Sequence, residues 1–185
     1  MAAAENGLTV FGGWRASSGF EDSNSGQKVR IRDGGAVSLA LDFTYDESKQ
    51  IEIFGSYQNT SMTVTPTGGT TSERVALKVA YLHLGGTYFF AGPVGRGPYA
   101  VGGLGVTLLS PSLDGTESET RASMNVGFGY LAPLVGALAL RLEGRGYFTL
   151  VNSSGNLFCS GGCTLAIKGN ALVQGEVMAG LTWRF

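Results

Sequence analysis

Few side chains in this 185-residue sequence are suited to covalent chemistry. His83 is the only histidine, and it lies in the segment YLHLGG. A histidine that acts as a general base needs a nucleophile, such as a serine hydroxyl, beside it. No serine lies within several residues of His83 in the sequence, so we favour a structural role over catalysis by a His–Ser pair.

The two cysteines, Cys159 and Cys163, lie in the segment CSGGC. Their even number and flexible spacer predict a disulfide at a loop tip if the chain lies in an oxidising compartment. A zinc site would need two further ligands nearby, and a redox pair would need a cationic environment; neither is evident. Glycine clusters such as GPVGRG are not followed by a helix, as a phosphate loop would be. The sequence therefore predicts no metal and no cofactor.

The charged residues are nearly balanced, with 13 Lys and Arg against 14 Asp and Glu and a formal net charge of −1. This balance predicts no general attraction to nucleic acid or to acidic lipid. Their spacing is more informative. In residues 138–148, LALRLEGRGYF, leucines alternate with Arg141 and Glu143. A period of two predicts a β-strand whose apolar face meets either a soluble core or membrane lipid.

Eight segments of the chain have the character of β-strands, and the connections between them alternate between long and short. The predicted strands are Leu8–Ala16, Ala36–Tyr45, Gln50–Tyr57, Val75–Phe90, Pro98–Leu109, Ala122–Leu131, Ala137–Leu150 and Leu172–Phe185. No apolar run approaches the roughly 18 residues of a membrane helix. The pattern predicts an all-β fold, an eight-stranded antiparallel up-and-down transmembrane β-barrel that forms one domain over residues 1–185. Its short turns would be periplasmic and its long loops extracellular.

The polar faces of these strands are rich in Gly, Ala, Ser and Thr, which suits the narrow interior of an eight-stranded barrel. Aromatic residues lie beside the short turns, as in the girdle of a membrane barrel. With the leucines facing lipid, eight charged side chains are predicted to point inward: Arg15, Asp42, Glu52, Lys78, Arg141, Glu143, Arg145 and Glu176. Unpaired charges there would be costly to desolvate, so we expect salt bridges. The expected cluster comprises Arg141, Glu143, Arg145 and Glu176.

Two of the predicted strands do not follow one simple phase. In Val75–Phe90 the alternation changes near Ala80–Tyr81, which predicts a bulge and leaves Lys78 facing inward. The strand Pro98–Leu109 contains too many glycines to be phased from the sequence.

The segment KVRIRDGG places three cations, Lys28, Arg30 and Arg32, at the same parity as Ser38 and Asp42. We favour a second strand that continues beyond the membrane with these charges facing inward, because the parity has no break. The alternative is a basic patch that contacts lipopolysaccharide phosphates.

The segments YLHLGGTYFF, GPYAVGGLGVTLL and LTWRF resemble the small eight-stranded outer-membrane barrels, the group of outer membrane proteins A, X and W. The resemblance covers nearly the whole chain and implies localisation in the bacterial outer membrane. It also implies that Trp183 and Phe185 form the signal for the barrel assembly machinery. Since the sequence stops at Phe185, we expect no peptidoglycan-binding domain. Since it starts MAAAENG, we expect that any secretory signal has been removed.

Three classes of function follow from this fold, which does not itself determine activity. The favoured hypothesis is a non-catalytic barrel with a charge-plugged lumen. Its loops would contact outer-membrane lipid, lipopolysaccharide, other cells or a protein partner. The second is a narrow conduit for small or hydrophobic molecules, which the resemblance to protein W suggests. The third is a lipid-modifying enzyme that uses His83, and a soluble ligand-binding barrel is a minor further possibility.

Overall fold

The computed structural model describes residues 6–18, 20–21, 28–65, 73–111, 118–150 and 171–185. All regular elements in this part of the chain are β-strands. They are β1 (Gly7–Ser17), β2 (Phe20–Glu21), β3 (Lys28–Ile31), β4 (Gly34–Thr44), β5 (Lys49–Thr65), β6 (Glu73–Phe89), β7 (Gly97–Pro111), β8 (Glu119–Pro133), β9 (Leu138–Leu150) and β10 (Ala171–Arg184). The described residues include no helix long and apolar enough to cross a membrane.

Eight strands, β1 and β4 to β10, form a closed antiparallel wall. Each pairs with its neighbours in the chain, and β1 pairs with β10 from Gly7↔Arg184 to Ser17↔Gln174, which closes the sheet. Closure leaves no free edge in the wall. The predicted fold class, an eight-stranded up-and-down β-barrel, is confirmed.

The two faces of the wall differ in chemistry as the alternation predicted. Large apolar side chains on the outer face are exposed, among them Leu82 (58%), Leu104 (68%) and Val177 (67%). Inward-facing side chains are buried and many are polar. Aromatic rings such as Tyr45 and Trp183 are exposed near the short turns. An apolar belt around a polar interior is the arrangement of a barrel that has lipid as its solvent.

Strand β7, which the sequence could not phase, has Tyr99, Val101 and Thr107 buried in the lumen and Leu104 on the outer face. Two glycines, Gly103 and Gly105, occupy the inward positions between Val101 and Thr107. The wall is therefore thin here, and side chains from neighbouring strands can lie across β7.

The predicted bulge near Ala80–Tyr81 is wrong, and so is the inward direction of Lys78. Strand β6 keeps one continuous register with β5 and β7. Leu77, Val79 and Tyr81 all face inward, whereas Lys78 is exposed on the outer face. The sequence pattern misled because Leu77 and Val79 belong to a buried apolar cluster at the long-loop end of the lumen. Apolar residues at that level do not mark the lipid-facing side.

A bulge does occur between β3 and β4, where the sequence predicted unbroken parity. Ile31 pairs with Met62 on β5, and Ala36 pairs with Gln58 on the same strand. Five residue steps from Ile31 to Ala36 therefore lie opposite four residue steps on β5. The extra residue reverses the facing, so Ile31 is buried at 3% and Arg32 is exposed. The predicted continuation of this strand is observed, but Arg32 is exposed and does not face the lumen. The described side chains do not include those of Lys28 and Arg30.

The hairpin of β5 and β6 is longer than predicted. The sequence placed a connection at residues 58–74, but β5 continues to Thr65 and β6 starts at Glu73. Their ladder runs in one register from Lys49↔Tyr88 to Val64↔Glu73. Two strands of 17 residues exceed the roughly 9–11 residues that span a bilayer, so this hairpin extends well beyond the membrane.

The short turns are fixed by local hydrogen bonds. In the turn between β4 and β5, Asp46 accepts hydrogen bonds from Lys49 Nζ and from the Ser48 backbone N–H, both at 2.8 Å. The hydrogen bond from Lys49, followed by that from Ser48, lowers the pKa of Asp46 to about 2. In the turn between β8 and β9, Gly136 has φ = 59°, a conformation that favours glycine.

Candidate functional site in the lumen

Seven of the eight charged residues predicted to face inward are buried in the barrel; Lys78 is the exception. The largest group centres on Arg141 of β9. Its Nη1 atom lies 2.6 Å from Asp42 Oδ2 on β4, and its Nη2 atom lies 2.8 Å from Glu52 Oε2 on β5. A third carboxylate, Glu143 on β9, has its Oε2 atom 3.2 Å from the same nitrogen.

Arg145, two residues further along β9, shares two of these carboxylates. Its Nη2 atom lies 3.0 Å from Glu52 Oε1 and 2.5 Å from Glu143 Oε1. Glu52 thus bridges both arginines. Strands β5 and β9 are four places apart around the eight-stranded wall, so these bonds cross the full diameter of the lumen.

Aromatic side chains complete this group. Tyr99 on β7 donates a hydrogen bond to Glu143 Oε2 at 2.7 Å and accepts one from Arg141 Nε at 2.8 Å. The Arg145 guanidinium lies 3.7 Å from the ring centroid of Phe54, which also lies on the far wall. Both arginines are therefore paired with anions and packed against rings, as buried cations require.

Glu176 does not join Arg141 and Arg145, as the sequence had predicted, but pairs with Arg15. The two side chains are fully buried, and Glu176 Oε2 lies 2.6 Å from Arg15 Nη2. Tyr147 donates to the same oxygen at 2.8 Å, and its ring centroid lies 4.8 Å from the Arg15 guanidinium. Glu176 is in register with both Arg15 and Arg145, but Glu52 and Glu143 already hold Arg145.

A second bridge crosses the lumen at the level of this pair. Tyr81 on β6 donates a hydrogen bond to Gln174 Oε1 on β10 at 2.5 Å, again between strands four places apart. Beyond it, at the long-loop end, lies an apolar layer of Ile31, Leu77 and Leu172, each at most 3% exposed. The described lumen therefore contains a charged layer and an apolar layer in series.

At the short-turn end, a cavity of about 10 Å³ is lined by Asp42, Arg141 and Thr182, among others. This volume holds about one water molecule. The described residues contain no group of three or more His, Cys, Asp and Glu side chains arranged to bind a metal ion.

His83 has a serine partner that the sequence analysis missed. Its Nε2 atom lies 2.9 Å from Ser123 Oγ on β8, across Gly105 of β7. The three residues occupy one row of the sheet. The registers of β6 with β7 and of β7 with β8 would reveal the pair, but the sequence does not give the phase of β7. The two residues are 2% and 7% exposed and no described residue forms a hydrogen bond with Nδ1, so within the described part of the chain the pair has neither an orienting acid nor an open path for substrate.

Comparison of the sequence with protein-family models and with curated proteins gives no match. Solved structures do match. Neisserial surface protein A superposes with a TM-score of 0.62 at 12% identity over 97% of each chain. A major outer membrane protein of Thermus thermophilus gives 0.59 at 14% identity over 99% of this chain and 100% of that one. OprG of Pseudomonas aeruginosa gives 0.57 at 14% over 97% and 96%.

This chain has the fold of the small outer-membrane β-barrels. The likeness is one of fold, and the resemblance predicted from the sequence is confirmed at that level. The apolar belt agrees with localisation in the bacterial outer membrane, with short turns periplasmic and long loops extracellular.

The remaining predicted residues of this outer-membrane barrel lie at its two ends. Trp183 and Phe185 are exposed at the periplasmic end, at 61% and 62%. Phe185 exchanges backbone hydrogen bonds with Asn6, so the last residue is still part of the closed wall. Cys159 and Cys163 lie outside the described residues.

Proposed function

We propose that this outer-membrane barrel is sealed and acts through the parts that it exposes outside the membrane. The observation that carries the proposal is the pair of bonds from Arg141 and Arg145 to Glu52 on the opposite wall. Side chains that meet across the full diameter leave no continuous water path at that level. The apolar layer beyond them would exclude hydrated ions a second time.

The exposed parts are the extensions of the wall on the extracellular side. The β5–β6 hairpin and the short β2–β3 hairpin carry strand structure past the apolar belt, which gives a framework for contact with the envelope, another cell or a protein partner. We further propose that Trp183 and Phe185 at the periplasmic end are recognised by the barrel assembly machinery.

Conductance of the purified barrel in planar lipid bilayers tests the seal. The wild-type protein should show no steady current, because ions cannot enter the charged layer without breaking buried ion pairs. The variant R141A, which removes bonds to three carboxylates, should show leak or lose stability. The matched control R96A alters an exposed cation in a short turn and should behave as wild type. A stable open channel in the wild-type protein would contradict the proposal.

A narrow conduit for hydrophobic molecules is the second candidate, and one observation favours it. The extracellular half of the lumen is lined by Ile31, Leu77, Val79 and Leu172, which could receive an apolar solute. Uptake of a fluorescent alkane analogue into vesicles that contain the barrel would support this candidate. Under the sealed-barrel proposal, uptake should equal that of protein-free vesicles.

A further inference from the structure

The buried charges of the lumen do not balance. Because Lys78 lies on the outer face, the described residues place three arginines and four carboxylates inside the barrel. Arg15 and Glu176 form a separate pair of one cation and one anion. The remaining group has two arginines and three carboxylates, which are Arg141, Arg145, Asp42, Glu52 and Glu143. With every member ionised, this group has one negative charge too many.

A surplus charge at this level of the lumen would be costly. Each side chain of the five-residue group is at most 4% exposed, so bulk water does not solvate it. A buried charge without a counter-charge costs far more free energy than a buried neutral group. The surplus therefore has to be neutralised, and a bound proton is the smallest group that can do so.

The hydrogen bonds of the group single out one carboxylate. Both oxygens of Glu52 and both oxygens of Glu143 accept hydrogen bonds from arginine or tyrosine. Asp42 differs, because Oδ2 accepts from Arg141 Nη1 at 2.6 Å whereas no described residue forms a hydrogen bond with Oδ1. Glu176 Oε1 also has no described partner, but that carboxylate belongs to the balanced pair. Asp42 Oδ1 is thus the position in the unbalanced group where a proton displaces no existing donor.

Asp42 also lines the small cavity at the short-turn end of the lumen. The cavity of about 10 Å³ holds about one water molecule, which can accept a hydrogen bond from a protonated Oδ1. Arg141 and Arg184 line the same cavity, so a metal cation there would face two arginine side chains. Arg184 Nη2 donates to Gly136 O in the β8–β9 turn at 2.9 Å. A proton therefore fits this position better than a metal cation does.

We propose that the lumen has a proton-binding site at Asp42, reached from the periplasm through this cavity. The charged groups that surround the site are Glu52 on β5, Arg141 and Glu143 on β9 and Arg184 on β10, and Tyr99 on β7 is hydrogen-bonded to two of them. The site goes beyond the sealed barrel and does not depend on it. Its tests measure stability and a carboxyl vibration, so failure of the seal in conductance recordings is distinguishable from failure of this site.

The direction of the pH dependence follows from the number of bound protons. In the unfolded chain Asp42 meets water and is ionised above about pH 5. The folded barrel then holds one proton more than the unfolded chain, so its free energy of unfolding falls as the pH rises. Histidine also titrates in this range, and the comparison of variants that all retain His83 cancels its contribution.

Urea unfolding in vesicles of neutral lipid tests the site. Between about pH 5 and about pH 8, the unfolding equilibrium constant of the wild type should rise at least about tenfold more than that of D42N. The amide of D42N resembles the protonated carboxyl but has no proton to release. The matched control D46N alters the carboxylate in the β4–β5 turn, whose pKa of about 2 lies below this range, and should keep the wild-type dependence. Equal dependence in wild type and D42N would overturn the proposal.

Infrared spectroscopy of the folded barrel gives a second test, which needs no unfolding. At about pH 6 exposed carboxylates are ionised, so the carbonyl band of a protonated carboxyl should come from Asp42 alone. The band should be present in the wild type and absent from D42N. Its absence from the wild type would overturn the proposal even if D42N failed to fold. Persistence of the band in D42N would also overturn it, because the proton would then lie on another carboxyl of the lumen.

Discussion

At the residue scale, Glu52 is the carboxylate that links the two arginines of β9 to the opposite wall. Its two carboxylate oxygens lie on two different arginines, Arg141 at 2.8 Å and Arg145 at 3.0 Å, and it comes from the wall opposite both. Without the Glu52 carboxylate, Arg141 would keep Asp42 and Glu143 and Arg145 would keep Glu143, but the charged hydrogen bonds from both arginines to β5 would be lost.

The variant E52Q should therefore destabilise the barrel by about 2 kcal/mol, although glutamine has nearly the same shape, because hydrogen bonds to charged groups contribute about 1.5–3 kcal/mol. Urea unfolding in lipid vesicles would measure this free energy. The control E47Q alters an exposed carboxylate in the short turn between β4 and β5 and should change it by less than about 0.5 kcal/mol. Equal stability of E52Q and wild type would show that the network does not hold the wall together.

Gly105 is the second residue on which the lumen depends. A Cβ atom there would meet the Leu82 carbonyl oxygen and would lie 2.8 Å from His83 Cδ2. The absence of a side chain lets the His83 ring lie across β7 and reach Ser123.

We expect G105A to lose about 2 kcal/mol or more, because β6 and β7 must separate to admit the methyl group. The same change at Gly144 on the outer face meets no atom within 4 Å and should be nearly neutral. Thermal unfolding, followed by the gel shift between folded and heated protein, would compare the two variants. If G144A proved the less stable of the two, this view of β7 would be wrong.

At the element scale, the part of the β5–β6 hairpin within the wall could be predicted from the sequence, and the part beyond the membrane could not. The sequence located the wall part of both strands, because the contrast between lipid and lumen imposes a clean alternation there. Beyond the membrane the outer face meets water and the inner face meets the apolar end of the lumen. Apolar residues there no longer mark the lipid-facing side of a strand. For this reason the sequence pattern predicts a loop at residues 58–65 and an inward side chain at Lys78, and both predictions are wrong.

Hydrogen exchange should show that this outer part is a true β-ladder. Backbone amides in residues 60–64 and 74–78 should exchange much more slowly than those of an unstructured peptide, because the ladder keeps one register to Val64↔Glu73. Residues 51–57 within the wall provide the protected reference. Exchange of residues 60–64 at the unstructured rate would support the shorter strands predicted from the sequence.

The lumen contacts show a similar division. Seven charged residues could be assigned to the interior because each lies on a strand with clear alternation. Which anion each arginine selects could not be predicted, since Glu176 is in register with two arginines and three-dimensional competition decides between them. The pair of His83 and Ser123 was hidden for a related reason, because the glycine-rich β7 between them has no readable phase.

At the scale of the whole molecule, the charges fall into two populations that salt screens to different extents. The Arg15 and Glu176 side chains, at 0% exposure, are beyond the reach of dissolved ions, whereas Lys78 and Arg32 lie in water. Buried pairs are screened far less than exposed charges.

The free energy of unfolding in vesicles of neutral lipid should therefore change by less than about 1 kcal/mol between about 50 mM and about 1 M NaCl. Urea titrations of one preparation at the two salt concentrations would measure this free energy. A barrel that unfolds in high salt would indicate that water and ions reach the charged layer.

The extra residue between β3 and β4 shifts the alternation of side chains by one position. The bulge reverses the facing of β3 relative to β4, while the register of β4 with β5 in the wall stays in place. A mutation that inserts or deletes one codon at residues 32–33 would turn Ile31 towards water and reverse the facing of β3. The facing of this extracellular strand can thus be reversed in a single genetic event, with the membrane-spanning part inherited unchanged.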